Sequence, residues 1–351
     1  MLSQPFRYSY IDAKVRTIYA QRLKKSDWRV LDSCNDQSCF MQYLSTTYYG
    51  RWLEIISKKK EGTWSLGPSL YLALFNDYHK IARALGKAPA QIFQGLFSRF
   101  EAENIKILLR AKKVGLSRNN VSHLLYPVER FSRIQWDKLW KASGVDGTLE
   151  ILLSTYFGTA IGHAKPQLEH HGKLFPVEMA VEIASYRRIW LAVSTLSSKK
   201  DRNMARMLIG SFIDAMNVYH VARLRFIYGL SPEEALNYSY PGGYHFNLRS
   251  LHNLCRAQHM SDFIKAMPSE MSTVFSGNEN VTDLQPRLQN WVLLRLKRAF
   301  LGLPFHLGVE IAWVLYREME IDSLIRLYES KRVKDRNRMG RLIPEMFLQE
   351  D

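Results

Sequence analysis

A polar phrase that the chain writes twice sets the strongest limit on its fold. Asn104-Ile-Lys-Ile-Leu-Leu-Arg110-Ala-Lys112 leads into Gly115-Leu116-Ser117, and Asn217-Val-Tyr-His-Val-Ala-Arg223-Leu-Arg225 leads into Gly229-Leu230-Ser231. The spacing Asn, five residues, Arg, one residue, Lys or Arg is the same in both. One extra residue before the second glycine is the sole gap. Self-similarity of this kind records how a fold is assembled from units. It also argues against a single active site, because duplicated polar residues read as scaffolding.

A second echo runs at an offset of 108: Leu44, Thr47, Tyr48 and Gly50 return as Leu152, Thr155, Tyr156 and Gly158. Pro68, Tyr78 and Ile81 return as Pro176, Tyr186 and Ile189. A weaker third copy runs from Glu320 to Lys331, with Ser323 where Asn is expected and Lys331 where Lys112 and Arg225 fall. Val177-Glu178-Met-Ala180 likewise returns as Val309-Glu310-Ile-Ala312. The period predicts three units, bounded at 1–103, 104–213 and 214–322, with 323–351 as a closing helix.

Helical periodicity dominates. Ile107, Leu108, Ala111 and Val114 fall on one helical face, as do Ile321, Leu324, Ile325 and Tyr328. Ser231-Pro232-Glu-Glu234 is a helix start with a capping serine, and Pro176-Val-Glu178 opens another. Breaks are expected at 62–68, 143–147, 162–176, 241–243 and 276–286. Strand-like alternation is scarce, so the expected class is all-α, an array whose units share interfaces because one unit cannot bury its apolar face alone.

The chain is long enough, at 351 residues with 46% hydrophobic, to bury a large core. Its net charge of +16 points to an anionic partner or a solvated basic surface. Small basic clusters lie at Lys58-Lys59-Lys60 and between Lys331 and Arg341. Three cysteines, Cys34, Cys39 and Cys255, make no even disulfide framework and fit a reducing compartment, with Cys34 and Cys39 expected as buried small hydrophobes. No signal peptide is visible at the N-terminus. The most apolar stretch, 299–316, carries His306 and Glu310 and is too polar for a membrane span.

Phosphate loops, nucleophile elbows and zincin helices are missing from the sequence. His163, His170 and His171 with Glu169 form a metal-like cluster without zinc spacing, so they read as surface or structural residues. No catalytic, cofactor or metal residue is expected. The candidates are the repeated positions: Asn104, Arg110, Lys112, Asn217, Arg223, Arg225, Glu320 and Lys331. Asparagine is a poor helix-interior residue, so its return implies a buried amide tying down a neighbouring loop. The cations read either as a ring facing a shared partner or as inter-helix pairs with acids such as Glu101 and Asp214.

These motifs resemble the C subunit (called d in eukaryotes) of A-type and V-type rotary ATPases, in its prokaryotic form. Tyr8-Ser-Tyr10-Ile-Asp12-Ala-Lys-Val-Arg16 is similar to the family's Tyr-x-Tyr-x-Asn-Ala-Arg-Val-Arg opening, with Asp12 in place of Asn. Thr46 to Gly50, Asn104 to Lys112, Ile213 to Arg225, Gly229 to Glu234, Pro241 to Gly243, Phe305 to Glu310 and Glu320 to Lys331 follow its later segments, with Ser323 and Ser330 standing in for Asn and Gly. The resemblance implies a pseudo-threefold funnel of three helical units. It also implies a non-catalytic central-stalk socket between the rotating shaft (D- and F-type subunits) and the membrane proteolipid ring, peripheral on the cytoplasmic face. No cofactor, small-molecule substrate or specific nucleic acid is implied. The competing reading is a basic α-helical repeat protein that binds nucleic acid or an anionic membrane surface.

Overall fold

The computed structural model describes residues 4–57, 66–275, 280–302, 305–332 and 343–349. Among them the chain is all-α, without a strand. It closes into two compact units, one of residues 60–195 and one of residues 1–59 with 196–351.

The unit of residues 60–195 is built on the helix Lys87–Lys113, which packs against Phe175–Ser194 and Leu66–Ala84. Ile92, Leu96, Ile105, Leu108 and Leu109 are fully buried along it, at spacings that repeat one helical face. Gly95 permits the close crossing with Phe175–Ser194: a Cβ there would sit 3.0 Å from the Ile189 Cα. Phe75, Phe97 and Phe100 interlock edge to face at centroid separations near 5 Å, and each such ring pair adds about 0.5–1.5 kcal/mol to its area burial.

In the other unit the helix Gly308–Ser330 is enclosed by Gln4–Tyr19, Lys199–Ala222 and Val281–Leu301. It is buried almost all round, from Val309 to Ile321 without interruption. No described helix is long and apolar enough to cross a membrane; this one holds Glu310, Arg317, Glu318 and Glu320 inside its packed surface.

The 108-residue echo is a structural repeat at the level of single hydrogen bonds. Thr47 Oγ1 donates to the Leu44 carbonyl at 2.7 Å and Thr155 Oγ1 to that of Leu152 at 2.6 Å. Each threonine Oγ1 then accepts the amide two residues on, Tyr49 N at 3.3 Å and Phe157 N at 3.2 Å. Gly50 and Gly158 close both turns, and a Cβ on either would lie 2.0 Å from a backbone oxygen, that of Ser45 or Leu153. Gly158→Ala is therefore expected to destabilise by about 2 kcal/mol, as overpacking against fixed backbone does; thermal denaturation would check it.

The expected breaks at 162–176 and 276–286 are helix only in part: the first break narrows to 172–174, and of the second, 281–286 are helical while 276–279 lie outside the described residues. Gly158–His171 runs through Pro166 and Val281–Leu301 through Pro286. Each proline removes one backbone bond, a local cost that the packing of the rest of the helix offsets. His163, His170 and His171 are thus exposed on a helix rather than in a loop, and no described group of three His, Cys, Asp or Glu is arranged to hold a metal ion. Cys34 and Cys255 are buried as expected of small apolar residues, but Cys39 is exposed in the first turn of Gln37–Ser45. Lys58-Lys59-Lys60 and residues 333–341 of the second basic cluster lie outside the described residues.

The residue inserted in the second copy of the polar phrase becomes a π-helical turn, Arg223–Ile227. The Leu116 amide reaches the Ala111 carbonyl at 2.8 Å, whereas the Leu230 amide reaches one residue farther back, to Leu224, at 2.9 Å. The extra residue is bulged out, and Gly115 and Gly229 both adopt left-handed conformations, φ 73° and 66°, as helix-ending glycines do.

Candidate functional site: a repeated helix-to-loop joint

The repeated asparagines each grip one tyrosine. Asn104 donates from Nδ2 to the Tyr126 carbonyl at 2.8 Å and accepts the Tyr126 amide at 2.9 Å. Asn217 does the same with Tyr240, at 3.0 and 2.7 Å. Both asparagines are buried, at 1% and 0% exposure. An amide carries one donor group and one acceptor side by side, which matches the N–H and C=O that an extended residue turns to the same side. The signal was in the sequence: Tyr126-Pro127 and Tyr240-Pro241 follow their asparagines by 22 and 23 residues, and a residue before proline is held extended.

Three residues before each asparagine stands a buried acid, and it ties a loop as well. Glu101 accepts from the Ser132 and Tyr156 hydroxyls; burial raises its pKa, against those hydrogen bonds and the charge of Arg188. Asp214 collects the amides of Tyr244 at 3.0 Å, His245 at 2.8 Å and Phe246 at 3.4 Å, plus His245 Nδ1 at 3.0 Å. It thereby organises the loop after Pro241-Gly242-Gly243. Gly243, at φ 127°, has no room for a Cβ, which would meet Asp214 Oδ1 at 2.5 Å. The expected pairing of these acids with the motif cations does not occur. Arg110 and Arg223 stand nine residues on, roughly 180° around the helix.

Arg110 instead makes a two-pronged ion pair with Glu178, both contacts 2.7 Å. Arg223 is half-buried, its Nη2 2.7 Å from the Tyr228 hydroxyl at the far end of the π turn. Lys112 caps carbonyls at the end of Trp136–Lys141, those of Trp140 at 2.6 Å and Ala142 at 2.7 Å. Arg225 donates to the Leu230 carbonyl.

The third copy finds its partners at the other end of the sequence. Glu320 accepts the Leu23 amide at 3.0 Å, the Tyr49 hydroxyl at 2.6 Å and Arg317 at 2.7 Å. Lys331 donates to the Asp32 carbonyl at 2.7 Å. Asp32 lies 108 residues before Trp140, the carbonyl that Lys112 caps. The first copy thus uses loops downstream of its helix, and the third uses the equivalent segment from the start of the chain. Ser323, without an amide to offer, turns back to the Met319 carbonyl at 2.7 Å. Met346, 23 residues on, has its amide taken by Asn290 at 2.8 Å.

The repeated Val-Glu phrase hides a difference that spacing alone does not disclose. Glu178 has its arginine. Glu310 is fully buried, and neither carboxyl oxygen has a hydrogen-bond partner among the described residues. Burial, followed by the charges of Asp12 and Asp201, pushes its pKa up to about 8.

These joints tether helices to loops through buried polar groups, and the same polar phrase does so in successive helices of an all-α chain. Comparison with known proteins carries the assignment further. The family model of the ATP synthase (C/AC39) subunit matches residues 11–342. The C subunit of the A-type ATP synthase from Methanocaldococcus jannaschii is 21% identical over 92% of this chain and 82% of its own length. Its counterpart from Methanothermobacter thermautotrophicus is 25% identical over 93% and 84%. The chain belongs to the ATP synthase (C/AC39) subunit family. It is accordingly a rotary ATPase component, part of a membrane-associated complex.

Proposed function

We propose that this chain is the central-stalk coupling subunit of an A/V-type rotary ATPase. One face grips the rotating shaft of D- and F-type subunits and the other seats on the membrane proteolipid ring, so that the subunit passes torque without catalysing a reaction. The family match over residues 11–342 carries this reading, and the joints support it. A part that transmits torque has to resist bending, and buried amide and carboxylate ties fix each long helix to the loops beside it. We further propose that the three copies mark three units of a pseudo-threefold funnel, the third completed by the chain's own N-terminal segment. The subunit would sit peripherally on the cytoplasmic side of the membrane.

Reconstitution tests this. With the shaft subunits and the proteolipid ring, the purified chain should form a stable complex, and omitting it should leave ATP hydrolysis running without ion pumping. Pumping that persists without the chain, or tight salt-sensitive DNA binding with no hold on shaft or ring, would overturn the proposal.

A further inference from the structure

The unit of residues 60–195 contains a cavity of about 300 Å³, bordered by the Glu101–Tyr156 tie of the first joint and at the small end of the range for ligand sites. Phe75, Phe93, Phe97 and Phe131 line it. The rings meet edge to face, Phe75 on Phe97 at 82° and Phe97 on Phe131 at 72°. Such walls offer no parallel faces to sandwich a flat ring, but they leave an apolar channel for a flexible chain.

The polar lining is lopsided in charge. Arg83, Arg133 and Arg188 border the cavity, and none forms an ion pair with a described carboxylate. The one acid is Glu101, 3% exposed, whose two oxygens are already taken by Ser132 and Tyr156. Arg188 is half-buried and lies 4.0 Å over the Tyr156 ring. It also lines a second, more polar cavity of about 510 Å³, to which Arg187 and Thr159 contribute. Aromatic walls beside an acid could in principle cradle an ammonium ion, but three guanidiniums against one engaged carboxyl select the opposite sign.

We propose that this cavity binds a single-chain amphiphile with an anionic head, of the fatty-carboxylate class. The chain lies among the four phenylalanines, and the head rests on Arg188 with Arg187, where the two cavities meet. The molecule is a ligand and not a substrate. The proposal stands apart from the coupling role: either can fail without the other.

Calorimetric titration of the full chain with dodecanoate, kept below its micellar concentration, tests it. Dodecyltrimethylammonium and dodecanol serve as cationic and neutral comparators. One saturable site for dodecanoate is expected, with both comparators much weaker. Arg188→Gln should weaken binding by about tenfold, the worth of a charge-assisted contact. Arg187→Gln, on an exposed side chain, should weaken it less and serves if the first variant folds poorly. No saturable binding, binding of the ammonium as tight as that of the carboxylate, or dodecanoate affinity unmoved by either substitution would overturn the proposal.

Discussion

Glu310→Gln is expected to flatten the alkaline limb of the stability profile and to leave the variant more stable than the parent above pH 8. Burial, then the Asp12 and Asp201 charges, raise the Glu310 pKa from 4.5 to about 8. A carboxyl raised in the folded state favours folding fully below its unfolded value, and that contribution is lost as pH rises through the folded value. Over the whole interval, 1.36 kcal/mol per unit sums to roughly 4–5 kcal/mol. His306 acts in the opposite sense at lower pH. Burial depresses its pKa, and its Nδ1 accepts the Gly308 amide at 2.9 Å, so the ring is neutral in this fold. Its contribution is present above the ordinary histidine value and fades as pH falls. The clean window is therefore between about pH 6.5 and 8, where the parent should lose about 2 kcal/mol and the glutamine variant little. The groups facing Glu310 are named by the same geometry. Asp12 is held by Arg16 at 3.3 Å, and Asp201 accepts the Tyr8 hydroxyl at 2.9 Å and the Leu307 amide at 3.0 Å. Urea denaturation across pH 5.5–9 reads the effect; parallel profiles for parent and variant would show that Glu310 does not hold its proton.

Asn217→Ala should cost about 3 kcal/mol. The substitution removes the group that holds the Tyr240 amide and carbonyl, both buried, and each buried group left unsatisfied costs about 1–3 kcal/mol. Asn217→Asp keeps the acceptor and loses the donor, so it should fall short of the alanine variant unless the new charge adds its own burial cost. Asn104→Ala should cost less, because Tyr126 is less deeply buried than Tyr240. Midpoints of chemical denaturation compare the three. Equal stability of parent and alanine variant would mean that the loop finds other partners, and the joint would then not be a stiffening device.

Much of the architecture was legible in the chain before folding was considered. The helical class follows from apolar residues at helical spacing, a property of the sequence itself. The duplicated turns at Thr47–Gly50 and Thr155–Gly158 follow from short-range rules, since their hydrogen bonds span two or three residues. The buried role of an asparagine inside a helix could be anticipated from its poor propensity there. Even the single inserted residue was visible, although its form as a π turn was not.

What the sequence could not determine is which residues meet across long separations. Arg110 and Glu178 are 68 apart, Glu320 and Leu23 are 297 apart, and Lys331 and Asp32 are 299 apart. No local pattern encodes those pairings; they exist because whole helices pack and bring their faces together. For the same reason two glutamates written in the same phrase differ, one ion-paired and one buried without a hydrogen-bond partner among the described residues. Proline positions misled for a related cause: one lost backbone bond is a local cost, and the burial that outweighs it is tertiary. Sequence alone determined the repeat and the residues that compose its joint. Only the tertiary structure decided what each joint holds, and that the last copy is completed by the first residues of the chain.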